Sequence, residues 1–521
     1  MGSTFAPASG YIVRALLAEQ LNRQIDVDRD HDRRHKEVKG PMSSQPTRAQ
    51  TVRAHAVAPH SCVLQPSIKA ALSSTAKYGR LFPHLSTQTA DDAELLALGR
   101  SGAAMDLPVP QSPDDDADPA TDNPRIPAGW PIFGQLIAHD ITADRSLLQH
   151  HASLRQIANF RTPRLDLECL YGAGPSGSPY MYDLHDSDKF LLGINDAGRP
   201  DDLPRNSQGI ALIGDPRNDV HLPISQLHVA YLKFHNAVVD WLRTEGVAAA
   251  DVFGEAQRLT RWHHQWIALH EFLPLSVGEE LAEETLRDGP RYYHVREGAA
   301  YIPIEFSDAA YRFGHSQIRT RYRLNDVATG PLFPDCIGMC PVPAARVADW
   351  RYFFALDPNR PPQASKRIDT RLAHSLIALP EQIIGATDIP EHHSLAVRDL
   401  LRARALDMPS GEAVAEAIGV VPLTADELAA PTALERHGTP LWYYILREAE
   451  ARQQGERLGA VSGRIVADVL AGLVDADPTS YRAVTPDWRP VLPAARADDF
   501  TMADLLRFAG VAEIVENVEN A

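Results

Sequence analysis

Cysteine is scarce in this chain of 521 residues, which has only Cys62, Cys169, Cys336 and Cys340. That is too few for a secreted scaffold built on disulfides. The spacing of Cys336 and Cys340 suits a disulfide or half a metal site, but no second pair accompanies them, which argues against structural zinc. Positive charge is in deficit, 51 Lys and Arg against 68 Asp and Glu, a net charge of −17. Nucleic acid and anionic membranes are therefore disfavoured partners. No apolar run is long enough to suggest a transmembrane helix. The N-terminus lacks a basic stretch followed by an apolar one, so no secretion signal is expected and the location reads as cytoplasmic. Glycine-rich phosphate loops, a nucleophile elbow, kinase signatures and internal repeats are all missing. The histidine-rich stretch from Trp262 to Glu271 lacks the His-Glu-x-x-His spacing of zinc proteases, and its Trp262, Trp266, Leu269 and Leu273 read as helix core.

The chain is well supplied with core material, 44% hydrophobic residues. Residues 1–60 read as a polar, disordered extension, and their His/Asp run at 28–35 as a solvated tail. Gln111 to Pro119 reads as a surface loop. The most informative segment is Phe133 to Thr142. Gln135 and His139 stand at i and i+4 in an apolar run, a spacing that stacks both on one helix face. With Asp140 alongside, they suggest a site for a polar small molecule with a cation nearby.

Further on, Thr162, Arg164, Asp166 and Glu168 alternate, and an extended loop would send them to one side. Hard cations take six to eight oxygens from carboxylates, hydroxyls and carbonyls, so this loop is a candidate calcium site. Leu227, Tyr231, Phe234, Val238 and Trp241 recur at helical spacing and predict a core helix. His228 and His235 lie on that helix and read as structural. Val466, Val469, Leu470 and Leu473 predict another amphipathic helix.

Taken in order, Phe133–Thr142, Arg161–Gly172, Gly214–Asp219, Ala310–Ile318 and Val397–Arg404 resemble the motifs of the animal-type haem peroxidases, especially their bacterial peroxidase-like branch. The likeness runs from about Ile126 to Pro409. It continues more weakly through Leu441–Leu446 and Gly459–Val466, so it covers most of residues 65–510. It implies one large, mainly helical (all-α) domain over 61–521 in place of the roughly three domains that length alone suggests. It also implies that His139 is the distal acid/base, that Gln135 orients the small ligand and that Arg217 polarises the peroxide bond. By the same likeness His315 is the proximal iron ligand and Asp399 its hydrogen-bond acceptor, where the family usually has Asn. Arg312, Arg402 and Arg404 would face the propionates and the proximal side. Asp140, Thr162, Asp166 and Glu168, with the Arg164 carbonyl, would hold calcium.

Three departures qualify the likeness. Mammalian members tie their haem by esters at positions that are Ala138 and Val220 here, and one uses a Met where this chain has His221. Non-covalent haem b is therefore expected. A carboxylate at Asp399 should lower the iron potential, which disfavours chloride oxidation and leaves bromide, iodide or phenolic donors. The fatty-acid oxygenases of the superfamily carry a radical Tyr at the position of Arg312, with Tyr311 one step further away. The expectation is a haem peroxidase that reduces hydrogen peroxide and oxidises a small donor, with a role in the response to oxidative stress. A haem-dependent oxygenase and a non-enzymatic haem-binding protein are the alternatives.

Overall fold

The computed structural model describes residues 78–107, 120–143, 159–295, 300–429 and 437–512. The expectations for residues 1–60, for Cys62 and for the 111–119 loop fall outside them. The described chain is mainly helical. Its longer helices are α1 (Asp92–Gly99), α2 (Gly129–Ile141), α3 (Leu222–Thr244), α4 (Val252–Ile267), α5 (Glu279–Asp288), α6 (Leu395–Ala405), α7 (Leu441–Gln453) and α8 (Ala460–Asp475). Strands occur only as short pairs. Asp122–Pro127 runs antiparallel to Ala364–Lys366, and Tyr78–Gly79 runs parallel to Ile302–Pro303.

Helix α3 forms where the periodicity places it. Pro223 occupies its first turn, where a missing N–H costs nothing. His221 is the N-cap, and its Nδ1 accepts from the backbone N–H of Ile224 at 3.3 Å. Leu227, Tyr231, Phe234 and Val238 are fully buried, which stabilises by about 1.5–3 kcal/mol per large apolar side chain. Helix α4 packs along α3, then passes into a π-helical turn at Ala268–Phe272. Trp262, Leu269 and Leu273 are fully buried there, as are Val466, Val469, Leu470 and Leu473 of α8. His235 is structural as expected: its Nδ1 accepts from the Tyr171 hydroxyl and its Nε2 donates to the Asp188 carbonyl. No described helix is long and apolar enough to cross a membrane.

Two packing relations set up the site. Helix α2 lies against α3 and against the 3₁₀ turn Ala310–His315. At Gly134 of α2 an added Cβ would stand 3.1 Å from Phe272 Cζ and 3.8 Å from Tyr311 Oη, so the absence of a side chain sets how closely the elements approach. The 3₁₀ turn in turn packs on α7 and α8.

Candidate haem site

Helix α2 is buried except along one stripe. Gln135, Ala138 and His139 are its partly exposed positions, an i, i+3, i+4 set. The two residues singled out in the sequence therefore do share a face, with Ala138 between them.

The imidazole of His139 is held from behind. Its Nδ1 donates to Asn218 Oδ1 at 2.7 Å, and the Asn218 amide donates to His228 Nδ1 at 3.0 Å. With the proton on Nδ1, the Nε2 of His139 carries a lone pair. Burial, then the nearby charge of Arg217, pushes the pKa of His139 down to about 3, so the ring is neutral at physiological pH. His228 is fully buried on α3 and stands behind the Asn218 that holds His139.

Arg217 is tied to the same helix. Its Nη2 donates to the carbonyls of His139 (2.9 Å) and Thr142 (2.6 Å), at the C-terminal end of α2 where a cation is favoured. Its Nε and Nη2 also bind Asp215, at 3.1 and 2.8 Å. Asp215 is fully buried and receives Arg161 as well, at 3.0 and 2.6 Å. Burial favours the neutral acid, but the two guanidiniums outweigh it and hold Asp215 far below the usual carboxylate range.

In the 3₁₀ turn that packs on α2, His315 is the last residue, with its ring a third exposed. Its Nδ1 donates to Asp399 Oδ2 at 2.6 Å. Arg312 binds Asp399 and also Asp308, the latter at 2.6 Å. Burial opposes the charge on Asp399, but Arg312 and His315 keep its carboxyl below the ordinary value. Arg402 is buried, with its Nε 3.8 Å from Asp308. Trp442 of α7 closes the group: its indole N–H donates to the Arg312 carbonyl at 3.3 Å, and its ring lies 6.3 Å from that of His315.

Of the arginines expected near the proximal side, the structure gathers Arg312 and Arg402 but not Arg404. Asp399 and Arg402 are i and i+3 on α6 and share its inner face. Arg404 points to the opposite side and pairs with Asp92 of α1. Nor does Arg312 stand free for a propionate: its guanidinium is shared among the carboxylates of Asp399 and Asp308 and the Ser307 carbonyl, which accepts from its Nε at 3.0 Å.

The loop of the calcium expectation bends instead of extending, with Leu167 in the left-handed region at φ 57°. The Arg164 guanidinium lies 3.6 Å from Asp477, away from this group, to which only the Arg164 carbonyl was expected to belong. Asp140 accepts from the backbone N–H of Leu167 (2.8 Å) and Cys169 (3.1 Å). The Thr162 hydroxyl donates to Asp166 (3.0 Å), and Glu168 accepts from the Thr162 amide (3.2 Å). Burial, then the charge of Asp166, raises Asp140 to about 8. Among the described residues no group of three His, Cys, Asp or Glu side chains converges as a metal site. Cys169, Cys336 and Cys340 are free thiols, so the disulfide considered for the last two is not formed.

Sequence reasoning missed Asn218, Asp215, Arg161 and Asp308. Adjacency to Arg217 was the only signal for the first two.

Residues 113–335 match the animal haem peroxidase family, a stretch that includes His139, Arg217 and His315 and stops before Asp399. The chain is 26% identical over 210 residues to thyroid peroxidase of Homo sapiens, covering 36% of this chain and 22% of that protein. To chorion peroxidase of Drosophila melanogaster it is 31% identical over 118 residues, 21% of this chain and 14% of that one. The aligned stretches thus span under a quarter of either relative. In fold it is similar to peroxidase A of Dictyostelium discoideum, with a TM-score of 0.55 at 14% identity over 86% of this chain and 94% of the other. It is similar also to the fatty acid alpha-dioxygenase of Oryza sativa, with a TM-score of 0.52 at 15% identity over 76% and 82%.

Proposed function

We propose that this member of the animal haem peroxidase superfamily is a haem-dependent peroxidase that reduces hydrogen peroxide and oxidises a small organic donor or halide. The observation that carries the reading is the pair of histidines. His139 and His315 each commit Nδ1 to a hydrogen-bond acceptor, which directs the Nε2 lone pair of each outward. His315 backed by a carboxylate is the donor arrangement of an axial iron ligand. His139 backed by a neutral amide is that of a base. The residues present thus fit haem b: His315 would hold the iron, and with Ala138 and Val220 at the ester positions the group would be bound without covalent links.

When bound, haem supplies the redox chemistry. The residues supply the rest. His139 Nε2 takes a proton from one oxygen of hydrogen peroxide and returns it to the other as water leaves. A pKa near 3 keeps His139 unprotonated and ready for the first of these steps. The Arg217 guanidinium stabilises the charge that develops as the O–O bond breaks. Gln135 contributes an amide to the same face. Asp399 fixes the tautomer of His315 and orients its ring.

Calcium is proposed as a structural ion that would be held by Asp140, Thr162, Asp166 and Glu168 with the Arg164 carbonyl. A hard cation suits those donors, although their side chains would have to exchange hydrogen bonds among themselves for the ion.

The test is His139→Ala in haem-loaded protein. The Soret band should remain, while its response to one equivalent of peroxide slows by roughly 10²–10⁴-fold, the usual worth of a general acid/base. An unchanged rate would remove His139 from the reaction. The fold likeness to a dioxygenase supports a second reading, oxygenation of a fatty acid. Against it, Arg312 stands where such enzymes carry a Tyr, and the buried Tyr311 hydroxyl has no proton acceptor among the described residues. Oxygen uptake with a fatty acid distinguishes the two.

A further inference from the structure

Gln135 ends in a carbonyl and an amino group of nearly equal size, and which one faces a bound ligand decides what ligand is held. The hydrogen bonds behind it settle the choice. His221 caps α3, and its Nδ1 accepts from the Ile224 backbone N–H, so that nitrogen carries a lone pair. In a neutral ring the proton is then on Nε2. Burial lowers the His221 pKa to about 3, which keeps the ring neutral. Nε2 lies 2.8 Å from Gln135 Oε1, and only donation from the ring to the carbonyl fits. The Gln135 carbonyl is occupied, and its NH₂ is the group left for the partly exposed side of α2.

We propose that His221 is a specificity-determining residue of this site, pinning the Gln135 amide so that it offers donors, never an acceptor, to a ligand beside His139. The inference rests on the peroxidase reading. The ligands so selected are small lone-pair acceptors, such as a hydroperoxide oxygen or a small inorganic anion, in preference to hydrogen-bond donors. His221 touches neither reactant. It acts through Gln135, and its own position is fixed by the N-cap and by the backbone of Ile337, with which it bridges.

Fluoride is the probe, because its complex with ferric haem reports donation to the bound ion in both affinity and spectrum. His221→Phe removes the donor and frees the amide to turn. Fluoride should then bind about tenfold more weakly, roughly one hydrogen bond's worth, with a shifted charge-transfer band, while carbon monoxide on the ferrous protein binds as before. His221→Gln, which retains a donor, should restore most of the fluoride affinity. Equal fluoride affinity in wild type and His221→Phe overturns the proposal, as does an equal loss for fluoride and carbon monoxide, which would mark a general disturbance. A haem-loaded wild type that binds no fluoride overturns the peroxidase reading itself. Should the Phe variant not fold, ¹⁵N chemical shifts of His221 in the wild-type protein decide: the Nε2–H tautomer supports the assignment and Nδ1–H refutes it.

Discussion

At the scale of single residues, the site is governed by partners that have no chemistry of their own. Asn218 is the clearest. Replacement by Ala leaves His139 in place but removes the acceptor of its Nδ1 proton. Peroxide reactivity should fall about 10–100-fold, the range seen when outer hydrogen-bond partners of functional histidines are lost, and stopped-flow mixing of haem-loaded protein measures it. Asp399→Asn keeps a hydrogen bond to His315 but withdraws the charge. The iron potential should rise, as read by spectroelectrochemistry, and an unchanged potential would show that the carboxylate does not tune the ligand. Burial raises the pKa of Asp140. With a folded value near 8 it is protonated at neutral pH, and a divalent cation must displace that proton. Calcium affinity should therefore increase as pH rises towards 8, with proton release visible by calorimetry in buffers of different ionisation heat. Binding without release would place the ion elsewhere.

At the scale of elements, the segment around Gly338 holds the start of α3. Its amide donates to the Val220 carbonyl, and the next amide donates to the Asp219 carbonyl. A Cβ at Gly338 would come within 1.9 Å of the Asp219 carbonyl oxygen. Backbone cannot yield as a side chain can, so Gly338→Ala should destabilise by about 1–3 kcal/mol in a denaturant titration, the ordinary penalty of overpacking. The elements also show what was legible in the chain and what was not. Helix α3, its apolar face and the shared face of Gln135 and His139 follow from local spacing, which the sequence displays directly. The joining of Asn218 to His139, or of Asp215 to Arg161, depends on chain segments far apart that meet only after folding. No periodicity announces such contacts. Arg404 was misplaced for a related reason: a motif match carries no helical phase, and the step from Arg402 to Arg404 crosses to the outer face. The alternation of Thr162 to Glu168 misled because it presumed extended backbone where the chain bends.

At the scale of the whole molecule, burial of neutral histidines links stability to acid. His139, His221, His228, His263 and His264 are lowered to about 3, and His235 and His270 to about 4, each chiefly by burial. Unfolded, each would titrate near 6.5. Below that pH the unfolded chain binds more protons than the native one, so stability falls as pH drops from 6.5 towards 4. Asp140, raised to about 8, and Glu271 and Glu448, raised to about 7, each chiefly by burial, act in the opposite sense: their contribution is present at low pH and is lost as pH rises through those values. The histidines outnumber them. The unfolding midpoint in urea should therefore decrease between pH 6.5 and pH 4.5, and an increase over that interval would mean that these rings are protonated in the native state.

The clamp of Arg217 on the last carbonyls of α2 has one more consequence. His139 and Arg217 come from stretches of chain far apart in sequence, yet both are referenced to a single rod, as two tools are set in one jig. Their separation is then insensitive to the route the chain takes between them.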